Sequence, residues 1–205
     1  MSERARILLA SSNAGKLAEL EALAAGEGYG ARFRFALFPN FASLPKFEES
    51  AATFAENAAG KAIHYSRGVQ EPVLADDSGL VVPALGGAPG VYSARYAGEG
   101  ASDADRIRKL LDEMRGKTGA QRAARFVCVL ALAERGRVIA VVSDSASGEL
   151  LDQPRGKGGF GYDPVFFAPE PGKTFAELTR EEKNRLSHRG KAFRRLLADL
   201  ASRTV

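Results

Sequence analysis

The stretch ADDSGLVVPALGGAPGVYSARYAG, residues 75–98, sets two adjacent carboxylates, Asp76 and Asp77, where a short apolar run stops. Val73, Leu74 and Ala75 read as a buried strand that ends at Asp76, and Ser78-Gly79 reads as the start of a loop. A glycine-rich segment with Gly86, Gly87 and Gly90 follows. Carboxylates at a strand end are placed to hold a divalent cation at the edge of an α/β sheet. Glycines beside them let backbone N–H groups approach a bulky anion closely. Acid next to an anion-friendly loop makes physical sense when a metal ion mediates between them, which points to Mg²⁺ and a phosphorylated substrate.

Working outward, Arg6 to Ala10 reads as a strand, and Asn13 as the N-cap of a helix with an apolar stripe of Leu17, Leu20 and Leu23. Phe33, Phe35 and Leu37 alternate with Arg34 and Ala36 in strand fashion. Thr53 and Glu56 form a capping-box pattern that opens a helix to about Arg67, with Gly68 as its stop. Ser102 and Asp105 open another helix, carrying Ile107, Leu110, Leu111 and Met114. Two β-prone runs, Arg125 to Ala133 and Arg137 to Ser143, are joined by a hairpin-like Glu134-Arg135-Gly136. Thr179 and Glu182 start a further helix, and the last helix buries Phe193, Leu196, Leu197 and Leu200. Alternating strands and helices with a hairpin in the middle predict an α/β domain with a mixed sheet. No linker or repeat divides residues 1–205, so one domain is expected, parted by its glycine-rich loops into two lobes around a central substrate cleft.

Composition excludes several classes. The chain has 205 residues, a formal charge of +4 and one cysteine, Cys128, inside an apolar run. A solitary buried cysteine reads as filler in a reducing compartment, so a cytoplasmic location is expected. The longest unbroken apolar run, Phe126 to Ala133, falls well short of the roughly 18 residues of a membrane span. Ile7 to Ala10 after Arg4 and Arg6 is too short for a signal-peptide core. The basic residues are spread along the chain, which fits a solvated surface or a field that draws polyanions. A nucleic-acid-binding module is disfavoured, because the acidic pair would repel a phosphate backbone.

Three groups of residues can carry chemistry besides the acidic pair. Ser11, Ser12, Asn13, Ala14, Gly15 and Lys16 lie between the first strand and the first helix. Free backbone N–H groups and the positive end of the helix dipole favour phosphate there. The P-loop spacing is absent, and a capped helix start with a surface lysine would look similar. Successive side chains on a strand point to opposite faces, so Asp76 and Asp77 do not both reach one ion. Asp77 is the expected ligand or base, with Asp76 behind it, and Glu48 or Glu49 supplies the second carboxylate. Phe160, Gly161, Tyr162 and Asp163 form a loop suited to laying an aromatic ring on a flat base, or to a tight turn that packs Phe160 inward. Lys183, His188 and Arg189 offer donors just before the last helix, and His64 is read as a surface residue without a role.

The ordered set SSNAGK, FEESAATFAENAAGKA, ADDSGL, GGAPGVYSARYAG, FGYDPVFF and ELTREEKNRLSHRGKAF resembles the inosine triphosphate pyrophosphatases (dITP/XTP pyrophosphatases), from about Ile7 to about Leu197. The resemblance departs at Ser12, where many members carry glycine, and at Ser50-Ala51, where a Thr-Gly pair is usual. It implies Mg²⁺-dependent hydrolysis of ITP, dITP and XTP to the monophosphate and pyrophosphate. It also implies an elongated mixed sheet with flanking helices and a homodimer. By matched position, Asp77 is the metal-binding general base, with Glu48 and Glu49 on an acidic loop. Ser11 to Lys16 and Ser78 contact the substrate phosphates. Phe160 to Asp163, Lys183, His188 and Arg189 bind the base. Two rivals remain at this level: a related pyrophosphatase with another base preference, and a nucleotide sensor that binds without turnover.

Overall fold

A computed structural model describes residues 4–203. Its elements are β1 (Ala5–Leu9), α1 (Ala14–Gly26), β2 (Phe33–Leu37), α2 (Phe54–Ser66), β3 (Val73–Val81), α3 (Asp103–Glu113), β4 (Ala123–Glu134), β5 (Arg137–Leu150), β6 (Phe166–Ala168), β7 (Lys173–Thr174), α4 (Arg180–Leu186) and α5 (His188–Arg203). They build a seven-stranded sheet in the order β2-β1-β3-β4-β5-β6-β7. β1 runs parallel to β2 and β3, whereas β5, β6 and β7 pair antiparallel. The mixed sheet expected from the sequence is the one found. Among the described residues no helix is long and apolar enough to cross a membrane.

The chain forms two compact units, and the first comprises residues up to Asp77, Cys128–Asp144 and the segment from Arg189. β1 lies between β2 and β3, and Ile7, Leu8 and Leu9 are buried because parallel strands are covered on both faces. Leu20 and Leu23 of α1, Phe35, Leu74, Leu130, and Phe193, Leu196 and Leu197 of α5 complete that core. The Phe35 and Phe193 rings meet edge-on, with centroids 5.1 Å apart. β4 and β5 are joined by Arg135 and Gly136 alone, with φ of 49° and 78°. Two consecutive left-handed residues match the twist of a tight hairpin, as the sequence predicts.

The second unit comprises Ser78–Val127 and Ser145–His188. Its core gathers Leu80, Ile107, Leu110, Met114, Phe126, Leu150, Val165, Phe166 and Phe175. Phe126, Phe166 and Phe175 form an aromatic cluster, with 4.6 Å between the Phe126 and Phe166 centroids and 4.8 Å between Phe166 and Phe175. β6 and β7, at three and two residues, are too short to carry a period and are not foreseen.

Two expectations need correction. β3 does not end at Asp76 but runs nine residues, through both aspartates and Ser78-Gly79 to Val81. Polarity suggested a stop, but ion-pair and hydrogen-bond partners let the acids sit inside a buried strand. The segment Ser187-His188-Arg189 does not precede the last helix: Ser187 is the C-cap of α4, and α5 starts at His188.

Candidate active site

In the first unit, Asp76 and Asp77 sit side by side on β3 in opposite electrostatic surroundings. Asp76 accepts hydrogen bonds from Lys16 Nζ at both carboxylate oxygens, 2.8 and 2.9 Å away. The Arg189 guanidinium lies 3.5 Å from its Oδ2. Burial alone would raise the Asp76 pKa, but Lys16, Arg189 and Lys61 outweigh it and hold the carboxyl well below the ordinary range. Arg189, grouped by sequence with the base-binding residues, is 5% exposed and also pairs with Glu19 of α1 at 3.7 Å. Its guanidinium is committed to two carboxylates.

Asp77 is 8% exposed, and its Oδ2 is buried with no hydrogen-bond partner among the described residues. Burial pushes its pKa up to about 6; the Asn57 hydrogen bond and Lys61 pull it down, while Glu49 and Asp76 push it further up. One acid is therefore favoured in its ionised form while burial raises its neighbour toward neutral pH, the arrangement a general base requires. Ser78, next along β3, keeps a buried hydroxyl without a partner among the described residues.

The acidic loop is fastened to α2. Thr53 caps that helix by accepting from Glu56 N–H at 3.2 Å. Asn57, 1% exposed, accepts from Ala51 N–H at 3.0 Å. One turn on, Lys61 pairs with Glu49 at 2.8 Å. Burial would lower the Lys61 pKa, but Asp76, Glu49 and Asp77 more than offset it and raise it. Between them Gly60 has no side chain because Phe47 fills the space: a Cβ there would lie 2.6 Å from its ring. The structure thus brings Glu49 into the surroundings of Asp77, while Glu48 is exposed. Asn57, Gly60 and Lys61 were missed in the sequence, where their helix was read only for its cap. The available signal was Asn57 and Lys61 at i, i+4, one polar stripe on an otherwise alanine-rich helix.

Asn13 caps α1 as expected. Ser11 Oγ accepts from Asn13 N–H at 3.1 Å, and Asn13 Oδ1 accepts from Lys16 N–H at 3.1 Å. Ser12, Asn13, Ala14 and Gly15 are exposed at the N-terminus of α1, while Lys16 turns inward to Asp76. Among the described residues no group of three or more His, Cys, Asp or Glu side chains is placed to hold a metal ion. Mg²⁺ takes one or two protein carboxylates and completes its octahedron with phosphate and water. The unpartnered Asp77 oxygen with one neighbouring glutamate fits that demand.

In the second unit the loop at Phe160 is held by carboxylates. Phe160 is 52% exposed, and Lys183 Nζ lies 4.6 Å from its ring centroid. Asp163 Oδ2 accepts from Phe160 N–H at 2.8 Å and from Lys183 Nζ. Gly159 is required: its φ is +73°, and a Cβ would lie 2.1 Å from Asp163 Oδ2. Gly161, at φ 61°, donates its N–H to Asp103 Oδ2 at 2.7 Å. Tyr162, which the resemblance groups with the base-binding residues, is 4% exposed and donates its hydroxyl to Ser93 O at 2.9 Å. Tyr162 packs in the core and anchors the loop from beneath. His188 is 6% exposed, its ring stacked on Phe126 at 4.8 Å and 11°. His64 is exposed, as expected.

Comparison with known proteins gives the family of the chain. The Ham1 family model matches residues 7–199. A dITP/XTP pyrophosphatase of Geobacillus kaustophilus is 53% identical over 190 residues, covering 93% of this chain and 91% of the relative. A dITP/XTP pyrophosphatase of Thermus thermophilus is 50% identical over 193 residues, covering 94% and 90%. Among solved structures, a HAM1 protein from Coxiella burnetii superposes with a TM-score of 0.87 at 44% identity, covering 97% of this chain and 99% of that one. Matched from residue 7 to residue 199, and aligned almost end to end with relatives of similar length, the chain belongs to the Ham1 family.

Proposed function

We propose that this chain hydrolyses ITP, dITP and XTP to the nucleoside monophosphate and pyrophosphate, clearing such nucleotides from the precursor pool. The observation that carries the reaction type is Asp77: a buried carboxylate with one unpartnered oxygen and a pKa raised to about 6, beside Glu49. The substrate class comes from the relatives, which are named dITP/XTP pyrophosphatases.

A water attacks the α-phosphorus as its proton passes to an Asp77 oxygen. The bond from the α-phosphorus to the bridging oxygen breaks, and pyrophosphate leaves with that oxygen. A positioned general base contributes typically ~10²–10⁴-fold. Asp77 with Glu49 or Glu48 would hold Mg²⁺, which when bound supplies charge neutralisation on the phosphate oxygens. The α1 N-terminus, from Ser11 to Gly15, donates to the remaining phosphate oxygens, and Ser78 adds a hydroxyl. Lys16 contributes its charge while holding Asp76 ionised.

The base is assigned to the Phe160 loop with Lys183 against it, and to His188 of the same unit. Hypoxanthine and xanthine carry a 6-oxo acceptor and an N1–H donor, whereas adenine presents the reverse. Donors aimed at position 6 are left unpaired by ATP, and a site built that way rejects a mismatched analogue by ~10⁴–10⁵-fold. The homodimer implied by the family resemblance, and the reducing cytoplasmic setting suggested by the single cysteine, belong to the same proposal. Pyrophosphate release measured on ITP, dITP, XTP, GTP and ATP, with and without Mg²⁺, tests it. Comparable rates on all five nucleotides would sink the base assignment, and binding of ITP without release would identify a sensor instead.

A further inference from the structure

The exposed Phe160 ring is carried on two peptide groups, and each donates its N–H to a different carboxylate. Phe160 N–H goes to Asp163 within the loop; Gly161 N–H goes to Asp103, the first residue of α3, 58 positions away in sequence. Asp103 is itself held. Its Oδ1 pairs with Arg106 one turn along α3, and Arg106 also donates to Ala94 O at 3.0 Å and Ala101 O at 2.6 Å. The anchor is thus locked to α3 and to the glycine-rich 94–101 segment.

The loop needs such an anchor because it is not packed solidly against α3. Gly156, Gly158, Gly159 and Gly161 line one side of a cavity of about 720 Å³, and Ile107 and Leu111 of α3 line another. On its other sides the loop is held by Gly158 N–H donating to Ala176 O at 3.0 Å and by the Tyr162 hydroxyl on Ser93 O, so toward α3 the restraint falls to Asp103. The Asp103–Gly161 bond bridges the two walls at the residue next to the ring.

We infer that Asp103 is a positioning residue for base recognition: by holding the Gly161 N–H it fixes the Phe160 ring at the angle a purine must meet. The inference rests on the proposed function, since it takes Phe160 as the surface on which the base is laid. Asp103 touches neither phosphate nor the attacking water in this scheme, so its loss weakens binding of the base and leaves the bond-breaking step intact.

Two variants and two measurements test this in the full-length protein. Asp103→Ala removes the acceptor, and Asp103→Asn retains one. Expected for Asp103→Ala is amide hydrogen exchange in residues 158–162 faster on the order of tenfold, and a KM for ITP higher by a similar factor, with kcat within about twofold. Asp103→Asn is expected to restore most of both. Unchanged exchange and KM in Asp103→Ala would overturn the inference. So would equal losses in both variants with kcat falling alongside KM, which would mark Asp103 as a general support of α3. If the wild-type protein releases no pyrophosphate from any inosine or xanthosine nucleotide, the functional reading fails, and the exchange data alone decide whether Asp103 holds the loop.

Discussion

Lys16 meets Asp76 with one ammonium group against both carboxylate oxygens, at 2.8 and 2.9 Å, across 60 positions of sequence. The pair joins the first turn of α1 to β3 and adds a side-chain tie between the phosphate-type loop and the acidic strand to the β1–β3 pairing. Asp76 is 6% exposed at its side chain and Lys16 24%, so little water remains to screen them.

Removing Lys16 should therefore leave a buried charge short of compensation. Breaking a buried pair from one side costs about 3–5 kcal/mol, and Arg189 beside Asp76 should keep Lys16→Met toward the lower end. Urea denaturation checks the loss. The double variant Lys16→Met/Asp76→Asn should recover most of the stability; if it is no more stable than Lys16→Met alone, the pair does not carry the effect.

Asp77 should trade stability for function. Its folded-state pKa, about 6, lies above the ordinary 3.8, so the folded protein holds the proton more tightly than the unfolded chain. That contribution is fully present below about pH 4 and is lost as pH rises through 6. The difference corresponds to about 3 kcal/mol at full strength, and solvent screening brings the expected effect to about 1–2 kcal/mol. Asp77→Asn should thus be more stable than wild type at pH 7.5 in EDTA, equally stable near pH 4, and nearly inactive. Thermal melts at both pH values and a pyrophosphate assay give the answer. Added Mg²⁺ should raise the wild-type Tm at pH 7.5 and leave that of the variant unchanged.

Activity should fall on the acid side as Asp77 takes up its proton. The limb in kcat/KM is expected at or below pH 6, because a bound divalent cation favours the ionised form. Asn57 stabilises that form through its hydrogen bond, so Asn57→Ala should move the limb to higher pH as well as loosening the acidic loop. A wild-type limb centred above pH 7, or an Asn57→Ala limb displaced downward, would contradict the assignment.

Gly159→Ala should disable base recognition without touching the chemistry. Its left-handed backbone costs an L-residue about 1–2 kcal/mol, and its Cβ would lie 2.1 Å from Asp163 Oδ2. Asp163 must then release Phe160 N–H or Lys183. The expected result is a KM for ITP raised at least tenfold with kcat largely kept; a fall in kcat at unchanged KM would argue against it.

The sequence revealed most where a local rule decides. Asn13, Thr53, Ser102 and Thr179 all cap helices in the structure, because a side-chain acceptor three residues ahead of an N–H needs nothing distant. The strand content around Asp76 was misread for the opposite reason: whether two acids can lie inside a buried strand depends on Lys16, Arg189 and Asn57, all remote in sequence. The anchoring of Tyr162 was illegible likewise, since only the fold brings Ser93 O to its hydroxyl. Motif order pointed to the family, while the bracing by Asn57, Lys61 and Asp103 lies in side-chain geometry that no spacing shows.

The alternation of β3 carries a consequence for how this gene can change. Asp76 and Asp77 differ in company because neighbours on an extended chain face opposite ways. Gaining one codon between Val73 and Asp76 would turn both acids to the opposite faces, stranding the ionised one away from its cations and carrying its neighbour on to the place of Ser78. Point replacements in this strand can be tried singly by evolution, but frameshift-free insertions there should be absent from functional descendants.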